Sequence, residues 1–249
     1  MSSRPEAQPP LERPLLVRLE SVDSTQTYAA RLAAEGALDG TVVVAETQTA
    51  GRGRRGRVWQ DVPGASLLLS MILRTTLAPA RLPTLSLAAG VAVAEALASA
   101  GGVAARLKWP NDVQADGRKI AGVLLERHGD AVVLGIGVNV AERSVPLELA
   151  SRATSVAVAG GRADRDEILA AILAGVLRWR DRLEREGFAP VRARWTSLAA
   201  GIGRRVSVEG AEGTVLGLDD DGALLIDTDA GTTRVLAGDV IEITGERSG

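Results

Sequence analysis

"ADGRKIAGVLLERHGDAVVLGIGVNV", Ala115–Val140, is the stretch that decides the fold. Two apolar runs flank a short polar break that contains Gly129-Asp130. Asp116-Gly117 ahead of them is a tight-turn dipeptide, since both residues tolerate the positive φ that such turns require. Runs joined this closely pair as an antiparallel hairpin, because a parallel pair needs a crossover of about a dozen residues.

Working outward, "LLVRLE" (15–20) reads as a strand. "DSTQTYAARLAAEG" (23–36) reads as a helix started by Ser24, a good N-cap residue, and stopped at Gly36. "TVVVAET" (41–47) and "SLLLSMILR" (66–74) are further strands, with an arginine-rich loop between them. "RLPTLSLAAGVAVAEALASAGG" (81–102) is a long, nearly all-apolar helix, expected to pack under the sheet. "ARLKWPNDV" (105–113) ends a strand in a Pro-Asn turn. Asp164 and Glu167 form a capping box at the head of an amphipathic helix over 164–187, and a shorter helix follows around Arg192–Leu198. After Gly203 short strands alternate with turns, as in a small SH3-like barrel. Three parts are expected: a disordered arm over 1–14, rich in Pro and polar groups; a large domain of strands and helices over 15–200; and a barrel over 201–249.

Composition removes several classes of chemistry. Cysteine is absent and histidine occurs once, so disulfides, thiolate nucleophiles and multi-histidine metal sites are excluded. A net charge of −2 argues against a general nucleic-acid coat, which needs a broad basic surface. No run approaches the roughly eighteen apolar residues of a membrane span, and the start lacks a signal-type segment, so a soluble cytoplasmic protein is expected. Of 29 cationic side chains only Lys108 and Lys119 are lysine. In a chain that otherwise uses arginine, a retained lysine points to a need for a compact ammonium.

Against that acidic balance, "AGRGRRGRVW" (50–59) is a cationic loop with mobile glycines. "GRGRRG" matches G-x-G-x-x-G literally, but "VWQDVPG" after it cannot open a helix well and no acid follows at the required distance. Single-stranded RNA binding wants interleaved aromatics, and only Trp59 is near. Beside a solvated RG-rich loop or basic patch, and more remotely a non-enzymatic RNA-binding protein that uses this loop, stands a phosphate-binding lid: glycines let the backbone approach an anion, and guanidinium groups clamp it by paired hydrogen bonds.

In order, the chain carries "DSTQ" (23–26), "ETQTAGRGRRGRVW" (46–59), "LLLSM" (67–71), "KWPND" (108–112), "GRKIAGVLLE" (117–126) and "GIGVNV" (135–140). In this order and spacing the sequence resembles the biotin protein ligases, over roughly residues 15–200 plus the small C-terminal barrel. The resemblance implies an α/β (α+β) fold, a mixed, mainly antiparallel sheet backed by helices, of the class II synthetase-like type. It implies formation of biotinyl-5′-AMP from biotin and ATP with Mg²⁺, then transfer of biotin to one lysine of a biotin carboxyl carrier domain. Ser24, Thr25, Gln26 and Gln48 would bind biotin, and Arg52, Gly53 and Arg54 would close over the adenylate. Lys119 would bridge the biotin carboxylate and the α-phosphate, with Trp59 walling the pocket. Lys108, Asn111 and Asp112 would lie near the phosphates and Mg²⁺, and Asn139 near the adenosine. Asp112 is the candidate to take the proton from the acceptor amine, and Lys119, Arg54 and Asp112 are the catalytic candidates.

Local readings stand beside these. Ser24 is also a helix N-cap, Trp109-Pro110 a strand end, Asn111-Asp112 a turn pair, and Gly135 and Gly137 a strand bulge. His128 reads as solvated and Met71 as core. Family members often have Asn where Gln26 stands, which leaves the direct role of position 26 open. Some carry an N-terminal DNA-binding domain, which fourteen residues cannot hold, so no DNA binding is expected. No membrane binding is expected either, and the family contains both monomers and homodimers. Lipoate–protein ligase is the neighbouring alternative, and Ser24, Thr25 and Gln48 argue for a ring with polar groups. Octanoyl transferases of the same superfamily need a cysteine that this chain lacks.

Overall fold

The computed structural model describes residues 14–243. The arm expected over 1–14 lies outside the described residues apart from Pro14. In chain order the larger part comprises β1 (Leu16–Val22), α1 (Thr25–Ala34), β2 (Val42–Gln48), β3 (Ser66–Arg74), α2 (Leu82–Ser99), β4 (Arg106–Lys108), β5 (Asp112–Ala115), β6 (Arg118–His128), β7 (Ala131–Asn139), α3 (Arg165–Glu186) and α4 (Ala189–Leu198). The sheet order is β1-β2-β3-β7-β6-β5-β4. Only β1 and β2, linked through α1, run parallel; all other neighbours are antiparallel. The sheet is mixed and mainly antiparallel, as the resemblance implied.

Local chemistry explains the elements. The Ser24 side chain accepts from the Gln26 amide and starts α1. Asp116 and Gly117 take φ values of 50° and 73°, so β5 and β6 meet in the turn their sequence calls for. Asp164 accepts from the amides of Asp166 and Glu167 and starts α3.

Strand alternation divides the sheet into two faces. Leu67, Leu69, Met71 and Leu73 of β3, with Leu134, Ile136 and Val138 of β7, turn towards α2 and the main core. Pro79–Ser99, which includes α2, is long and apolar enough to cross a membrane by those two criteria alone. It is instead the central core helix, apolar all round because sheet and helices enclose it. α3 packs closely on it where Gly175 faces Ala92. Ile72 and Val133 point to the opposite face, where Ala29 and Ala33 of α1 cover them. α1 covers only part of that face, and the remainder is the floor of the site.

Five further strands follow: β8 (Arg205–Val208), β9 (Ala211–Leu218), β10 (Leu224–Thr228), β11 (Gly231–Val235) and β12 (Ile241–Glu242). They form a separate antiparallel sheet in the order β11-β10-β9-β8-β12. Its apolar residues Val206, Val215 and Leu224 continue the main core through Trp109 and Trp195. The Trp109 indole donates to the Gly222 carbonyl at 3.0 Å, joining the two sheets.

Two local expectations are corrected. β7 pairs with both neighbours in unbroken register through Gly135 and Gly137, so neither marks a bulge. Asp112 is not a turn residue but the first residue of β5, directly opposite Lys108.

Candidate functional site

The site is a trench in the sheet face that α1 leaves bare. Two ladder rows form its floor, Leu68, Gly137 and Gly122, then Ser70, Gly135 and Leu124, and Glu126 stands at the edge of the next row, whose Ile72 and Val133 lie under α1. The glycines of β7 leave a groove along the middle of the sheet. Two side chains fill it from opposite ends. A Cβ on Gly135 would come within 2.6 Å of Gln26 Oε1, and one on Gly137 within 2.6 Å of the Trp59 ring. The glycines therefore stand where a helix side chain and a loop side chain descend onto the backbone. Between them lies a pocket of about 150 Å³.

The N-terminus of α1 makes one polar wall. Thr25 donates to Gln48 Oε1 through its amide at 2.8 Å and its hydroxyl at 3.0 Å. Ser70 Oγ stands 2.9 Å from Thr25 Oγ1 and 3.1 Å from Gln26 Oε1. Gln26 Nε2 donates to Val133 O at 3.0 Å and to Glu126 Oε2 at 3.2 Å. Thr47 and the Gln48 amide meet Asp61, which ties the end of β2 to the far side of the loop.

The arginine loop lies over the trench, and all four guanidinium groups are held. Arg52 makes a two-pronged pair with Glu126 at 2.9 and 2.7 Å. Arg54 donates to Asn111 Oδ1 at 2.9 Å. Arg55 meets Glu209 at 2.6 Å, and Arg57 meets both oxygens of Asp239 at 2.6 Å. Two of the four partners, Glu209 and Asp239, thus belong to the connections between strands of the C-terminal sheet. Burial pulls the Arg54 guanidinium below its ordinary pKa, opposed by Asp239 and Asp112, yet an arginine so placed stays charged. The hydrogen bond from Arg57 holds the Asp239 carboxyl below its usual range.

Lys119 Nζ sits 2.6 Å from Asp112 Oδ1 and 5.6 Å from the centre of the Trp59 ring. A Cβ on Gly122 would approach that ammonium to 3.0 Å, so Gly122 makes room for it. Lys119 and Trp59 also wall a second pocket of about 150 Å³ with Asn139, Val145 and Leu149. Asn139 is buried, with its amide donating to Thr154 O at 3.0 Å. Trp59 Nε1 is buried without a hydrogen-bond partner in the protein.

The structure thus brings Ser24, Thr25, Gln26, Gln48, Arg52, Gly53, Arg54, Trp59, Asn111, Asp112 and Lys119 around one pocket. Asn139 lines the adjoining one. Lys108 does not line the main pocket; it stands across the ladder from Asp112 and borders a small cleft beside Trp195 and Val240. His128 is half-buried rather than solvated, with Nε2 3.8 Å from Glu126. Ser70, Gly122, Glu126, Glu209 and Asp239 were not singled out as site residues from sequence. Ser70 and Gly122 fall inside the quoted "LLLSM" and "GRKIAGVLLE" stretches, and their smallness between large apolar neighbours was the available signal.

Residues 19–140 match the Biotin/lipoate A/B protein ligase family, and residues 201–241 match the biotin protein ligase C-terminal domain. The chain is 38% identical over 238 residues to the bifunctional ligase/repressor BirA of Bacillus spizizenii, covering 90% of this chain and 73% of that one. It is 38% identical over 237 residues to the biotin–[acetyl-CoA-carboxylase] ligase of Paracoccus denitrificans, covering 89% and 98%. The biotin protein ligase of Aquifex aeolicus in complex with biotin and ATP superposes with a TM-score of 0.83 at 32% identity, covering 92% and 99%. The chain belongs to the biotin protein ligase family.

Proposed function

We propose that the main pocket joins biotin to ATP as biotinyl-5′-AMP and then passes the biotinyl group to a lysine of a biotin carboxyl carrier domain. The observation that carries this is the meeting of Lys119, Arg52 and Arg54 over a pocket whose far wall is the polar set Thr25, Gln48 and Ser70. A ring with urea-like donors and acceptors suits that wall. The relatives named for biotin support this over a lipoate ligase.

In the first step a carboxylate oxygen of biotin attacks the α-phosphorus of ATP and pyrophosphate leaves. The obstacle is repulsion between anions. Lys119 and Arg54 supply positive charge there, and one well-placed donor of this kind is worth roughly 10²–10³ in rate. No base is needed, because the carboxylate is already ionised. The adenosine belongs in the second pocket, between Trp59 and Asn139, with Lys119 at the junction of the two. The lid then keeps water from the mixed anhydride.

In the second step the acceptor amine attacks the biotinyl carbonyl, AMP leaves, and the amine sheds a proton. Asp112 is the candidate to receive it once Lys119 leaves it for the phosphate. Magnesium bound with ATP would offset phosphate charge, and Asp112 is the carboxylate that would hold it. Among the described residues no cluster of three metal-binding side chains exists. Asn111 has its amide oxygen on Arg54 and its nitrogen on Val123 O, so in this structure it positions Arg54.

Incubation with biotin, MgATP and a biotin carboxyl carrier domain tests this reading. A mass increase of one biotinyl group on a single carrier lysine supports it. An unmodified carrier, with folded protein and all substrates present, contradicts it.

A further inference from the structure

We propose that Glu126 is the residue that positions the lid, and that Gln26 acts on the lid through it. This rests on the ligase reading for its consequence in turnover, but not for the geometry.

Glu126 Oε2 accepts from both Gln26 Nε2, at 3.2 Å, and Arg52 NH1, at 2.9 Å, while its Oε1 accepts from Arg52 NH2 at 2.7 Å. The carboxylate therefore joins the helix wall of the pocket to the first arginine of the loop. A two-pronged guanidinium–carboxylate pair fixes direction as well as distance, which a single hydrogen bond does not. Gln26 is 3% exposed, and both ends of its amide are taken: Ser70 lies at the oxygen, Val133 O and Glu126 at the nitrogen. It reaches Glu126 by crossing the bare backbone of Gly135, where any Cβ would meet it at 2.6 Å. A side chain one methylene shorter would fall short of that crossing. With its polar atoms spent on protein partners, Gln26 is a positioning residue and not a direct biotin ligand.

The lid has a second support, since Arg55 and Arg57 are held by the C-terminal sheet. Arg52 is the contact on the catalytic sheet beside the biotin wall. Its release would open that end first and leave the rest of the fold intact.

The four arginines make trypsin a direct probe of the loop, on the full-length protein without substrates. Glu126→Gln keeps the shape of the side chain and removes its charge. Gln26→Met keeps the length and removes the amide. Loss of a partly exposed ion pair is expected to speed cleavage within 52–57 roughly fivefold in Glu126→Gln. A smaller effect in the same direction is expected in Gln26→Met, with thermal midpoints close to the parent. In turnover, Glu126→Gln should release more free biotinyl-AMP while KM for the carrier stays unchanged. Loop cleavage at the parental rate in both variants would overturn the proposal. So would cleavage accelerated equally throughout the chain, which would make Glu126 a general stability residue. If the parent makes no biotinyl-AMP, the ligase reading fails while the proteolysis result still decides the role of Glu126 in holding the loop.

Discussion

Arg57 of the lid donates to both oxygens of Asp239, 182 positions further along the chain, at 2.6 Å. Arg55 does the same to one oxygen of Glu209, at a turn whose backbone takes φ of 48° at Glu209 and 84° at Gly210. Gly238 lets that turn pack close, since a Cβ there would meet Glu209 Cγ at 2.8 Å. The C-terminal sheet is therefore a latch for the lid. Replacing both carboxylates (Asp239→Asn with Glu209→Gln) should raise KM for ATP about five- to tenfold with kcat changed less, as loss of two exposed ion pairs allows. Steady-state kinetics with both substrates varied checks it, and unchanged KM values would contradict the latch.

The pH dependence of that latch follows from Asp239. Its pKa is lowered by the Arg57 hydrogen bond, with burial opposing. A depressed carboxylate contributes its stabilisation above its unfolded pKa and loses it only as pH falls through the lower folded value. The cost of Asp239→Asn should thus be flat from about pH 6 to 8, well above the ordinary aspartate value of about 3.9. A cost that vanished on going from pH 8 to 6 would show another group in control.

Lys119→Arg should reduce adenylate formation by roughly 10²-fold or more although charge is kept. The ammonium lies between Asp112, the Trp59 ring and the space of Gly122. A planar fork is too wide for that space and presents its donors differently. Single-turnover formation of biotinyl-AMP measures it; near-parental rates would remove Lys119 from the α-phosphate.

Gly137→Ala should displace Trp59 from the trench, because the new methyl would sit 2.6 Å from the ring. The fold should hold, as the position is an ordinary strand residue in unbroken register. Trp59 emission should change and affinity for ATP should fall, with the urea midpoint shifted little. Parental emission and affinity would mean that the ring has another resting place.

Glu95 ties α2 to α3 and α4, accepting from Trp179 Nε1 and Arg178 at 2.9 Å and from Arg194 at 2.8 Å. Burial acts to raise its pKa, and these partners together outweigh it, leaving the carboxyl below its usual range. Glu95→Ala should cost about 1–3 kcal/mol at pH 7, since it orphans the indole donor. That difference should hold down to the ordinary glutamate value of about 4.3 and shrink as pH falls further, through the lowered folded value where the parent also loses its charge. Urea denaturation of both proteins at the two pH values gives the comparison.

Much of this architecture was legible in the sequence because it is local. β3 is bounded as "SLLLSMILR" reads, since nine residues with one buried face each way have no other use. Ser24 caps α1 and Asp164 caps α3, as their side chains dictate. What was not legible is set by distance along the chain. Glu126, Glu209 and Asp239 look like ordinary surface carboxylates until the fold brings them 74, 154 and 182 positions back to the loop. Gly135 and Gly137 left a bulge open as a local alternative, because a missing side chain looks the same in sequence. One reason for such a gap is backbone irregularity; the other is that another residue's side chain occupies it. Lys108, which the resemblance implied near the phosphates, stands one strand beyond the pocket wall, opposite Asp112.

ATP–pyrophosphate exchange by the purified protein, with biotin, with lipoate and with neither acid, tests the central claim most directly. Exchange that depends on biotin is the predicted result, since it requires the carboxylate and the triphosphate to meet reversibly in one pocket. Exchange with lipoate alone, or none with either acid in a folded, magnesium-supplied sample, would contradict it.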